Sequence, residues 1–186
     1  MNRALVGLLL LLASCGYQFG EGELTRNYAT ISVPFAKGDQ QGALTRAVIN
    51  ELATESSLIY VNEGADLELL MAFKEVDETD IGFRYDNTKD NDKGHRVRYT
   101  IPDETRLTGY LEINLIDRGQ GKVIFGPVLL RATYDFDHGY YASQGGLNRR
   151  SLGQVSDYDE AYDAALIPLY QNLARKVVDY LKSAVD

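Results

Sequence analysis

Cys15 is the only thiol in the chain, and His95 and His138 are the only imidazoles. That leaves little room for catalysis. A zinc site of familiar ligand spacing is not available, and the acidic stretch Asp86 to Asp92 lacks the glycine and closing glutamate of a calcium-binding hand. There is no G-x-S-x-G elbow, phosphate loop or dinucleotide fingerprint, and Gly145-Gly146 reads as loop punctuation. Asp157 and Asp159 form a pair that could in principle do acid–base work. Their place in Ser156-Asp157-Tyr158-Asp159, just ahead of an apolar-periodic run, gives them to helix capping instead. The expectation is a binding or assembly protein that is not an enzyme and holds no metal and no cofactor. Acylation of the Cys15 sulfur remains; Lys93, Arg96, Arg98 and the pair Arg149-Arg150, each taken alone, read as solvated cations or partners of nearby acids.

The setting of Cys15 is Leu12-Ala13-Ser14-Cys15-Gly16, preceded by Arg3 and the apolar run Ala4 to Leu11. A short basic region followed by such a run has signal-peptide length and is too short to span a bilayer. A leucine three residues before a cysteine, with small residues between, is the pattern of bacterial lipoprotein signals. In these the sulfur takes a diacylglycerol, the peptide is cut before the cysteine, and the new amino group is acylated. The alternative is an ordinary secretory leader with an incidental cysteine, which would carry an unpaired thiol into an oxidising compartment. Each buried methylene adds about 0.8 kcal/mol of membrane affinity, and a single chain binds only marginally, so three chains make a nearly permanent anchor. Gly16 stands where many bacteria read an aspartate as a signal to stay at the inner membrane, which favours passage to the outer membrane, periplasmic side. The division expected is 1–14 signal peptide, 15–28 lipidated N-terminus and tether, and 29–186 a single domain.

The remaining residues supply elements to position the cations. Tyr28 to Phe35 alternates, with Ile31, Val33 and Phe35 on one face, and Pro34 confines it to a sheet edge or a strand end. Leu44, Ala47, Val48 and Leu52 recur at helical spacing, with Thr45, Arg46, Asn50, Glu51 and Glu55 opposite. A brief strand, Leu58 to Val61, precedes a longer one from Asp66, in which Leu67, Leu69, Met71 and Phe73 share a face. From Asp77 to Lys93 polar residues dominate, and Asp86 to Gly94 reads as a mobile hairpin tip. Alternation resumes at Val97, is interrupted at Pro102-Asp103, and continues to Leu115. Asp117 to Gly121 is a hairpin turn, and the return strand from Lys122 to Asp135 is bent at Gly126-Pro127. A final helix runs to about Lys182 on the stripe Tyr162, Ala165, Leu166, Leu169, Leu173, Val177, Tyr180 and Ala184, with Pro168 expected to kink it near Ala164. The fold class is α+β: both helices on one face of a mixed, mostly antiparallel sheet.

The net charge of −8 argues against nucleic acid as a partner and requires any anionic ligand to find a local basic patch. No later apolar stretch approaches the length of a membrane span.

Cys15-Gly16-Tyr17-Gln18-Phe19 resembles the opening of the LPS-assembly lipoproteins, the LptE family. There a cysteine-glycine-tyrosine start leads into a strand ending valine-proline-phenylalanine, here Ile31 to Phe35. The likeness continues through the amphipathic helix, Ala65-Asp66, a strand near Tyr110, the strand Arg131 to Phe136, and a closing helix containing Leu173-Ala174. The resemblance implies two helices on a four-stranded sheet, lodged as plug and assembly partner inside the outer-membrane β-barrel LptD. It also implies contact with lipopolysaccharide on its way to the outer leaflet, whose phosphates would need arginine or lysine, here the clusters Lys93, Arg96 and Arg98 and the pair Arg149-Arg150. The long acidic loop and net negative charge depart from the family pattern. Two other readings suit an anchored noncatalytic domain: an auxiliary lipoprotein of a phospholipid-trafficking transporter, and a periplasmic activator of a cell-wall synthase.

Overall fold

The structure, a computed structural model, describes residues 23–89, 96–138 and 158–183. Their elements are α1 (Glu23–Asn27), β1 (Thr30–Ser32), α2 (Ala43–Glu55), β2 (Ile59–Tyr60), β3 (Leu67–Lys89), β4 (Arg96–Asp117), β5 (Lys122–Asp137) and α3 (Tyr158–Ser183). The strands form one sheet in the order β2-β1-β3-β4-β5. β1 runs parallel to both its neighbours, and β3, β4 and β5 are antiparallel. The α+β class stands; five strands and three helices replace four and two, because a two-residue edge strand and a single-turn helix join the expected set. α1 lies within the stretch expected to be a tether. Leu24 is buried in the core, so the folded body begins before residue 29.

β1 is shorter than its alternation suggested. After Ser32 the chain leaves the ladder at Pro34, which has no N–H to give, and rejoins at Lys37. The Lys37 N–H donates to the Met71 carbonyl (2.9 Å), and its own carbonyl accepts from Phe73 N–H (2.8 Å). Gly38 follows at φ +87°, and a Cβ there would stand 2.5 Å from the Phe73 carbonyl oxygen, so only glycine fits. The start of β1 is pinned by Asp66. Its Oδ2 accepts the N–H groups of Ala29 and Thr30 (3.0 Å each) and the Thr30 hydroxyl (2.8 Å), while its own N–H donates to that hydroxyl oxygen (2.9 Å). These bonds hold the Asp66 carboxyl below its ordinary pKa.

α2 buries Leu44, Val48 and Leu52 completely. Thr45, expected on the solvent side, is buried as well. Gly42 caps the helix in a left-handed conformation without a side chain, so Asp39 does the work from further back. Its Oδ2 accepts the Thr45 N–H and hydroxyl (2.8 Å each), and Thr45 Oγ1 accepts the Ala36 N–H (3.0 Å). The first turn thus closes internally.

α3 presents the expected Ala165, Leu169, Leu173 and Val177, together with Ala174, Val178 and Leu181. Its buried stripe is wide because it packs on β4, β5 and α2 together. The helix continues through Pro168 to Ser183; the capping residues Ser156 and Asp157 lie outside the described residues. α3 comes closest to the sheet over Gly109, where a Cβ would sit 3.2 Å from Leu173 Cδ1 and 3.3 Å from Leu169 Cδ2. Ala132 stands opposite Gly109 in the ladder, a second small residue under the same helix.

The largest departure from expectation lies between Asp77 and Lys89, which is strand rather than loop. β3 continues to Lys89 and stays paired with β4 throughout, through register shifts at Phe73/Val76 and on both sides of Gly82. β4 likewise passes through Pro102 unbroken. β5 accompanies β4 only as far as the pair Glu104–Asp137. Beyond it β3 and β4 form a two-stranded ribbon, Phe83 to Lys89 against Arg96 to Pro102, which at ~3.3 Å per residue projects ~20 Å from the three-stranded sheet.

Candidate functional site: the ribbon and its root

The site residues expected from sequence divide into two groups. Cys15, Lys93, Arg149 and Arg150 lie outside the described residues. Arg96 and Arg98 open β4 at the far end of the ribbon, where their register partners are Lys89 and Asn87. Lys89, not singled out in sequence, therefore belongs with them: the ladder gathers Lys89, Arg96 and Arg98 within two rungs. The signal was the hairpin register, invisible while 86–94 read as loop.

At the other end the ribbon is rooted in an aromatic and polar cluster built from four elements. β3 supplies Glu78 and Asp80, β4 supplies Thr105, the end of β5 supplies Phe136 and His138, and the start of α3 supplies Tyr158. The Thr105 hydroxyl donates to Asp80 Oδ1 (3.1 Å) and lies 2.8 Å from His138 Nε2. A hydroxyl has one proton; with it given to Asp80, the Nε2–H of His138 donates to Thr105 Oγ1, a tautomer fixed by the network. The His138 backbone N–H donates to the Asp103 carbonyl (2.9 Å). Tyr158 donates to Glu78 Oε2 (2.5 Å). Burial first, and Glu78 second, push the Tyr158 hydroxyl up to about 12. The His138 and Tyr158 rings meet edge-on with centroids 4.8 Å apart, and Phe136 packs against both.

This cluster does not have the arrangement of a nucleophile and its base. Thr105 is 1 % exposed, and its proton faces a carboxylate while the imidazole donates to it, the reverse of what activating a hydroxyl requires. What the cluster does is positional. It clamps His138, the residue that follows β5, to Tyr158, the first residue of α3, at the base of the ribbon. Among the described residues, no three His, Cys, Asp or Glu side chains come together as metal ligands.

The uncovered sheet face carries paired charges: Lys74 with Glu112 (3.0 Å), Arg118 with Glu68 (3.0 Å), and Arg106 with Asp135, both oxygens engaged at 2.7 Å. The Arg106 guanidinium lowers the Asp135 pKa. At the opposite end of the sheet Tyr28 donates to Asp117 Oδ2 (2.8 Å), and Gln120 N–H donates to Asp117 Oδ1 (2.9 Å). The backbone bond first, then the tyrosine, lowers the Asp117 pKa.

Fold and site together define a two-layer α+β domain with a pair of helices on one sheet face and a basic-tipped ribbon extending from it. A family model described as LptE, lipopolysaccharide-assembly, matches residues 28–181. The chain belongs to the LptE family. The match runs from Tyr28, which ties β1 to the end of β4, to Leu181, the last buried residue of α3. No curated protein matches the chain. Among solved structures, a minor lipoprotein from Acinetobacter baumannii is 15 % identical, with 84 % of this chain and 92 % of that one covered and a TM-score of 0.49. The rare lipoprotein B from Shewanella oneidensis is 13 % identical over 83 % and 95 % of the two chains, again with a TM-score of 0.49.

Proposed function

We propose that the chain is an outer-membrane lipoprotein, anchored through Cys15, that plugs and helps assemble the LptD β-barrel and assists insertion of lipopolysaccharide into the outer leaflet. The observation that carries this reading is the family match, which covers the helices and strands from β1 to α3. The architecture suits the role. The two-layer body is stabilised by its own core, so the ribbon is free to reach into a polar barrel interior and bring Lys89, Arg96 and Arg98, with Lys93 near them in sequence, to phosphate groups. Arg149 and Arg150 supply a second basic contact. The chemistry asked of the protein is holding and positioning.

The test has two arms. A tagged chain recovered from solubilised membranes of the native host should bring a large β-barrel with it; recovery of the chain alone refutes the plug. Lys93, Arg96 and Arg98 replaced together by glutamate should lower retention of purified lipopolysaccharide while the unfolding temperature stays put; unchanged retention removes those residues from the lipid-contact surface.

A further inference from the structure

β5 ends the sheet: β4 lies on one side of it and, among the described residues, no strand lies on the other. In its ladder with β4, the pair Asp103–His138 is hydrogen-bonded, because the His138 N–H donates to the Asp103 carbonyl. Bonded and non-bonded pairs alternate along an antiparallel ladder, and the register is unbroken from Glu104–Asp137 to Ile113–Val128. Leu129, Arg131, Thr133, Asp135 and Asp137 therefore turn their N–H and C=O groups away from β4, toward the open edge. The side chains of these five are exposed, while those of Val128, Leu130, Ala132, Tyr134 and Phe136 are half-buried or buried. A run of outward backbone groups of this length is a template for a further strand unless it is blocked.

One block is visible midway along it. Asn172, on α3, reaches round the edge and donates its Nδ2–H to the Thr133 carbonyl (3.0 Å). We propose that Asn172 is a guard on a strand-addition edge: while its amide holds Thr133, β5 stays unpaired, and without it β5 takes the β5 of a second copy of this chain, antiparallel about Thr133.

The choice of occupant and register follows from charge. Pairing centred on Thr133 sets Arg131 opposite Asp135 of the second copy, and Asp135 opposite its Arg131. Among the described residues Arg131 has no ion pair within the chain, and Asp135, already holding Arg106, keeps lone pairs for a second cation. On the inner side the same register matches Leu130 with Phe136 and Ala132 with Tyr134 of the second copy, apolar against apolar.

The test uses the full chain, extracted from membranes in mild detergent, with Thr133→Cys as the reporter. Residues paired at the two-fold centre lie within disulfide reach. The parent chain, whose native thiol is Cys15, is run beside it. With Asn172 present, Thr133→Cys should stay monomeric on non-reducing gels. Asn172→Ala should raise the disulfide-linked dimer by about tenfold, the scale of one intramolecular hydrogen bond. Asn172→Asp, of the same shape but without the donor, should do likewise, which keeps the test sound if Asn172→Ala misfolds. Adding Arg131→Asp to either should return the monomer. Equal cross-linking with and without Asn172, or cross-linking indifferent to Arg131, overturns the proposal.

Discussion

Gly109 sits under α3, and a valine there should destabilise the domain at a cost that vanishes once Leu173 is alanine. The Cβ alone would stand 3.2 Å from Leu173 Cδ1 and 3.3 Å from Leu169 Cδ2, so alanine requires shifts of only a few tenths of an ångström. Its cost is offset by the lower backbone entropy of the unfolded chain, and Gly109→Ala should change stability by less than about 1 kcal/mol. Valine drives two methyls into leucine side chains that are fully buried and should cost about 2 kcal/mol. Leu173→Ala alone opens a cavity at a site walled by α2, α3 and β4 and should cost about 3 kcal/mol. The two changes nearly cancel in volume, since one adds an isopropyl group where the other removes one. The double variant should therefore lose about 3 kcal/mol rather than the additive 5 or so, a coupling of about 2 kcal/mol. Urea unfolding of the four proteins, followed by far-UV circular dichroism, gives the cycle directly. Strict additivity would refute the contact between Gly109 and Leu173, and with it the seating of α3.

Acid should weaken the fold below about pH 4, because Asp66, Asp117 and Asp135 all have lowered pKa values when folded. Their contribution is complete above the unfolded value of about 3.9 and drains away as pH falls through the folded ones. Asp66→Asn should flatten the fall of unfolding temperature with acid, and an unaltered slope would contradict it. At the alkaline end, Tyr158 should withdraw stability as pH rises from its unfolded value of about 10 toward the folded value of about 12, and Tyr158→Phe should remove that part of the loss. Gly38→Ala, forced into φ +87° and against the Phe73 carbonyl, should cost at least about 1 kcal/mol in the same urea assay.

The apolar faces were legible because burial leaves a period in the sequence. Leu67, Leu69 and Met71 alternate, Leu44, Val48 and Leu52 recur at helical spacing, and all six are buried. The ribbon was not legible for the converse reason. Polar residues dominate from Asp77 to Lys89, so no apolar alternation marks the strand, and only pairing with residues 96–108 makes it one. Thr45 was misread because its partner, Asp39, lies outside the helix and before its capping glycine. α1 escaped notice because a single turn following a glycine-rich stretch carries too few positions to show a period, although Leu24 reaches the core. The basic residues of β4 were found by composition, but their company with Lys89 depends on register. The root cluster had no signal in sequence: Glu78, Thr105, His138 and Tyr158 are scattered, and folding alone assembles them.

The edge-on meeting of His138 and Tyr158 also has a practical side. Because the exit and re-entry of residues 139–157 are held together by folded elements on both sides, the connection between them can be lengthened at little entropic cost, each doubling adding only about 0.6 kcal/mol. A fluorescent reporter or affinity module spliced into that connection should leave helices and sheet undisturbed. The molecule thus offers a built-in socket for following it in living cells.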